Sequence, residues 1–287
     1  MAIFDMHSHW GTRRGYPFQT DEELAQQERV FASRSSYVSE AEMAAHFRKH
    51  GAHVMLDLGV RAFQPIEEVR ALHDYAFATR RQHPDEILGH WLHIDPRHGR
   101  EAVDELDRCL RSGSGVIGLS VPGAGFNIPA SDPRYEPLYD LCIQARAPVL
   151  IMVGTTGIGA GRPGGGGVRL DASHPRHLDE VAASHPDMIL VASRPAWPWQ
   201  TEMIAILLHK TSVWYELHGW SPRYFTPDLK TEIGRRLQDR VLFGADYPLI
   251  GYKRLLADWK SEGYADDVLD KVLRANARRF LTELAGA

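Results

Sequence analysis

Eight short apolar runs rich in β-branched residues recur along the chain, at Ile3–Met6, His53–Leu58, Ile87–Ile94, Val116–Val121, Val149–Val153, Met188–Ala192, Val213–Leu217 and Val241–Gly244. They are shorter than ordinary helices. Strands that read as continuous apolar runs are buried on both faces, the mark of parallel strands covered by helices. Segments of helical period lie between most of them: Glu40–His50, Pro65–His83, Ala102–Arg111, Tyr135–Arg146, His174–Ser184, Met203–Lys210 and Asp228–Leu237. Gly51, Gly113 and Pro148 supply stop signals behind three of these segments. Eight β-α repeats in 287 residues predict an α/β fold, a (β/α)8 TIM barrel, with residues 1–287 forming one domain.

Two stretches interrupt the repeat and read as long loops. One runs from Trp10 to about Ser39 and is rich in Arg, Gln and Ser; the other, Gly154 to Gly167, carries eight glycines in fourteen residues. Both follow a strand, which in a barrel places them on the active face as lids or binding loops. The glycine run lacks the Gly-Lys-Ser/Thr ending of a P-loop and the dinucleotide spacing, so a lid or flexible insertion is expected rather than a phosphate cradle.

Composition narrows the function classes. With 44% hydrophobic and 24% charged residues the chain is an ordinary globular one, and a net charge of −4 gives no reason to expect nucleic acid or an anionic membrane as partner. The N-terminus has neither a basic nor a long apolar segment, and no window reaches the length of a membrane span, so a cytoplasmic location is expected. Two cysteines, Cys109 and Cys142, are too few for a disulfide framework and lack metal-ligand spacing.

The 15 histidines are the unusual count. Most fall on helical or loop segments, where a solvated or structural role is expected. The informative ones sit at strand ends, which converge on one pocket in a barrel. The first strand ends in Asp5-Met6-His7-Ser8-His9, and a spacing of two puts His7 and His9 on one face. The third ends in His93, the sixth in Ser193-Arg194, the seventh in Glu216-Leu217-His218, and the eighth in Gly244-Ala245-Asp246. First and last strands are neighbours in a closed barrel, so His7, His9 and Asp246 are a candidate site for one divalent metal ion.

The motifs FDMHSH, DPRYEPLYDLC, APVLIMVG, HPDMILVASRPAWPW, VWYELHGWSPRYF, VLFGADYPL and VLRANARRFL together resemble the amidohydrolase superfamily. The likeness is to its amidohydrolase-related branch, which holds aminocarboxymuconate semialdehyde decarboxylase, the resorcylate decarboxylases and several small-molecule hydrolases. The resemblance implies a distorted (β/α)8 barrel with a mononuclear, usually zinc, site, and suggests a homodimer. It maps His7, His9 and Asp246 onto the metal positions. Where the family has a fifth-strand and a sixth-strand histidine, this chain has Met152 and Arg194, and His218 stands where relatives often have serine.

Two mechanisms stay open. In one, His7, His9 and Asp246, with or without His218 as a further ligand, hold a divalent ion, zinc as first choice or manganese, and a small carboxylated substrate is decarboxylated or hydrolysed. In the other, resembling the pyrone dicarboxylate lactonases, no metal is used: Asp246 is the general base, His7, His9 and His218 polarise or protonate the substrate, and Arg194 binds the substrate anion. A non-catalytic ligand-binding barrel is a third possibility. His93, Arg13 and Trp197 are further candidates for substrate contact.

Overall fold

The computed structural model describes residues 2–32 and 34–285. Eight parallel strands follow one another in a single sheet: β1 (Ile3–His9), β2 (Ala52–Leu58), β3 (Ile87–His93), β4 (Val116–Val121), β5 (Val149–Met152), β6 (Leu190–Ser193), β7 (Trp214–Leu217) and β8 (Val241–Phe243). The predicted TIM barrel is what forms. It closes just beyond β8, where Asp246 N donates to His7 O (3.1 Å) and His9 N donates to Tyr247 O (2.7 Å).

Helices cover the outside. They are α1 (Asp21–Phe31), α2 (Glu40–His50), α3 (Ile66–Gln82), α4 (Arg100–Leu110), α5 (Glu136–Ala145), α6 (Pro175–Ser184), α7 (Gln200–His209), α8 (Pro227–Ile233), α9 (Tyr252–Ser261), α10 (Asp266–Asp270) and α11 (Asn276–Ala285). The α8 helix ends at Ile233, short of the Leu237 expected from periodicity, because the chain turns at Gly234. The Trp10–Ser39 stretch is not a plain loop, since it contains α1. That helix starts with a capping box in which the Thr20 side chain accepts from Glu23 N and the Glu23 carboxylate accepts from Thr20 N.

The barrel interior is filled by Met6, Met55, Trp91, Leu150, Met152, Val191, Trp214 and Leu242, with Ala277 and Phe280 of α11 packed against the same cluster. Gly118 makes room for Trp91, since a Cβ there would run into the indole. Residues on the outer face of the strands pack with the helices in a second, larger core. This arrangement leaves one end of the barrel for polar groups.

Candidate active site

The geometry of the mouth begins with Asp5. Its fully buried carboxylate accepts from His7 N (3.1 Å), Ser8 Oγ (2.5 Å), Ala245 N (3.0 Å) and Tyr252 Oη (2.5 Å). Burial pushes this carboxyl upward, and the four donors oppose that shift. The bonds gather β1, the end of β8 and α9, and they coincide with a register shift between Asp5 and Ser8 in the β1–β2 pairing. Such irregularities re-aim side chains near sites. Here His7 and His9 both come to the mouth, with ring centroids 5.3 Å apart.

Asp57, near the end of β2, is where the imidazoles converge. It receives a hydrogen bond from His93 Nε2 at 2.9 Å and from Ser120 Oγ at 3.3 Å. His7 Nε2 and His9 Nδ1 each lie 3.7 Å from one of its oxygens. Burial works to raise the Asp57 carboxyl, but His93, His7 and His9 outweigh it and hold the group well below the usual carboxylate range. On the other side of the site, His9 Nε2 lies 3.2 Å from Asp246 Oδ1.

A second chain of contacts runs through β6 and β7. Glu216 Oε2 accepts from Ser193 Oγ (2.8 Å) and from His218 Nδ1 (2.6 Å). His218 Nε2 then accepts from Arg194 Nε (3.1 Å), and Arg194 Nη1 donates to Thr155 O (2.9 Å). The His218 ring stacks on His7 with centroids 3.5 Å apart and planes 2° from parallel. Both imidazoles are fully buried, and burial holds each well below the ordinary histidine pKa, with neighbouring cations adding to the shift. Burial likewise pushes the Glu216 carboxyl well up.

Beside these groups lies a cavity of about 800 Å³, lined by His9, Asp57, His93, Met152, Arg194 and Asp246 and by aromatic side chains including Tyr16, Phe18, Phe126 and Trp220. Residues of α1 and of the segment from Gly154 to Ile158 line the cavity, and the two covers are joined by an ion pair from Arg162 Nη1 to Glu23 Oε1 (2.7 Å).

Of the residues expected at the site, His7, His9, His93, Arg194, His218 and Asp246 are brought together. Arg13 and Trp197 are not. Arg13 is consumed inside its own loop, bonded to Asp21 Oδ1, Tyr16 O and Gln19 O. Trp197 is half exposed outside the cavity and stands against Trp220, which does line it. Asp57 and Glu216 are the site residues that sequence reasoning passed over. Each is an acid inside an otherwise apolar strand, where an uncompensated charge is too costly to persist.

Among the described residues, two groups of three bring possible metal-ligand atoms within 4.8 Å of one another: His7, His9 and His218, and His73, Glu105 and Cys109. Asp246 belongs to neither. The second group is satisfied internally, with Glu105 holding His73 Nδ1, Cys109 Sγ and the Arg108 fork. The first fits an ion poorly as packed. Stacked rings hold their lone pairs in two separate parallel planes, so His7 and His218 cannot both aim at one ion at the roughly 2.0–2.1 Å of a zinc–nitrogen bond. In addition, both His218 nitrogens are engaged, one by a permanent cation.

A (β/α)8 barrel with histidines, carboxylates and an arginine at the C-terminal ends of its strands defines a class of enzyme scaffold. The chain belongs within it to the amidohydrolase family, whose sequence model matches residues 4–282, and it is an enzyme of the hydrolase or carboxy-lyase kind. No curated protein matches it. Solved structures of the same fold include an uncharacterised TIM-barrel protein from Bordetella bronchiseptica (20% identity, all of both chains covered, TM-score 0.75). A 2,6-dihydroxybenzoate decarboxylase complexed with 2,6-dihydroxybenzoate shares 16% identity over 98% of this chain and 99% of that one (TM-score 0.71). A dihydroxybenzoic acid decarboxylase from Polaromonas sp. JS666, with bound manganese and the inhibitor 2-nitroresorcinol, shares 14% over 100% and 98% (TM-score 0.70).

Proposed function

We propose that the protein hydrolyses an ester or lactone bond in a small carboxylated substrate and that Arg194, not a divalent ion, supplies the positive charge that holds it. The supporting observation is the pairing of Arg194 and Asp246 across one cavity, the guanidinium fixed by His218 and the Thr155 carbonyl. An arginine has five N–H donors, and the two bonds leave three for a carboxylate. Asp246 takes the proton of the attacking water. As the carbonyl–oxygen bond breaks, His9, whose Nε2 faces Asp246 Oδ1, passes a proton to the leaving oxygen.

The second reading is a carboxy-lyase or hydrolase with an ion, zinc or another divalent metal, at His7, His9 and Asp246. It is favoured by the two ring nitrogens of His7, which are buried without a hydrogen-bond partner, and by the manganese of one structural relative.

The test is turnover of a panel of carboxylated esters and lactones. Asp246→Asn should lower kcat by about a hundredfold or more, the usual weight of a general base. Arg194→Ala should act mainly on KM, because it removes binding present before and during the chemical step. Turnover unaffected by Asp246→Asn contradicts the proposed base, and carboxylate binding without turnover of any ester or lactone contradicts the hydrolysis and favours the carboxy-lyase reading.

A further inference from the structure

We infer that Glu216 and His218 are positioning residues that fix Arg194 as a carboxylate clamp, an inference that rests on the role proposed above for Arg194. Glu216 is completely buried and takes the Nδ1–H of His218, which sets the imidazole tautomer and leaves Nε2 as an acceptor. That acceptor takes the Nε–H of Arg194. The guanidinium is thereby tied at two corners, at Nε and at Nη1, and its free edge carries the remaining donors into the cavity.

The surrounding sequence is shaped to this chain of bonds. Ser193 directly precedes Arg194, pairs in register with Glu216, and gives that carboxyl its second donor. Arg194 N donates to Glu216 O (2.9 Å), so Glu216 holds the main chain of Arg194 directly and its side chain through His218. Arg194 itself has φ 77°, a left-handed conformation that costs free energy in a non-glycine residue and needs its surroundings to hold it. Gly244 completes the fit, because a Cβ at that position would collide with Glu216 Oε1 and press on the Cβ of His218. A hydrophobic pair at positions 216 and 218 would fill the same space but would leave the arginine free to swing.

Nuclear magnetic resonance of the full-length protein labelled with 15N-arginine and 15N-histidine tests this without knowledge of the substrate. The expected result is an Arg194 Nε–H that exchanges slowly with water and shows a coupling across the hydrogen bond to His218 Nε2. Glu216→Ala and His218→Ala should both speed its exchange by about tenfold or more, the loss expected for one hydrogen bond to a charged group. His218→Gln should restore part of the protection, since its amide can accept from Arg194 and donate to Glu216. Fast exchange in the wild type, or protection unchanged in both alanine variants, overturns the inference.

A titration with 2,6-dihydroxybenzoate and with acetate to high concentration separates this from the underlying reading. Carboxylate-induced shifts of the Arg194 Nη signals in the wild type, weakened about tenfold in affinity by Glu216→Ala and partly recovered in His218→Gln, support the positioning role. Equal affinity in wild type and variants sinks that role while keeping the clamp. A protected Nε–H with no Nη response to either carboxylate refutes the clamp itself.

Discussion

Asp5 shows how much of the mouth depends on a single side chain. Its carboxylate satisfies two backbone and two hydroxyl donors from three elements. In Asp5→Asn one acceptor oxygen is replaced by an NH2 group that faces donors, so buried groups lose partners at roughly 1–3 kcal/mol each. The unfolding free energy in urea should fall by about 2–3 kcal/mol, and a change near zero would show that the four bonds are not made. Sequence spacing alone was enough to place His7, His9, His218, Arg194 and Asp246 at one mouth, because each lies within three residues of a strand's C-terminal end. It did not reveal Asp57, which sits one residue inside β2 and has no spacing pattern. What marked it was chemical: an acid in Met-Leu-Asp-Leu must find buried partners, and it finds three imidazoles.

At the scale of elements, the barrel strands were legible because parallel strands buried on both faces leave apolar runs with nothing to confuse them. The cover over the cavity was less so. The α1 helix lies in a polar stretch with weak periodicity, although Thr20-x-x-Glu23 is a readable helix start. Behind β8, Tyr252, Leu255 and Trp259 carry the helical spacing of α9 and all are buried, although the last helical segment expected from periodicity is Asp228–Leu237. Glu23 has a double task, capping α1 and pairing with Arg162 of the glycine-rich segment and Arg61 beyond β2. Partly exposed pairs of this kind contribute roughly 0.2–1 kcal/mol. Glu23→Gln should therefore raise amide hydrogen exchange across residues 157–167 by about two- to fivefold, leaving the strands protected. Unchanged exchange there would show that the two covers move independently.

For the molecule as a whole, the buried histidines set the response to acid. His90, packed between Trp10 and Phe77, is lowered by burial to about 3, and burial likewise lowers His7, His73 and His218. In the unfolded chain the same groups titrate near 6.5. Below that pH the unfolded state binds protons that the folded state refuses, so stability is lost as pH falls from about 6.5 toward 3, with each such histidine contributing up to about 1.4 kcal/mol per unit. Asp57 adds its loss only below the ordinary carboxylate range, since its folded value is depressed. Asp5 and Glu216, whose carboxyls burial raises, act in the opposite direction and offset part of this loss. Melting temperature should still decline from pH 6.5 to 4.5; no decline would mean that the imidazoles do not outweigh these two carboxyls. Whether Arg194 stands in place of a divalent ion is decided by metal analysis of the purified protein beside its turnover before and after chelation. The expected result is far less than one ion per chain and turnover unchanged by the chelator. An ion near one per chain, with turnover lost on its removal and regained on its return, would contradict it.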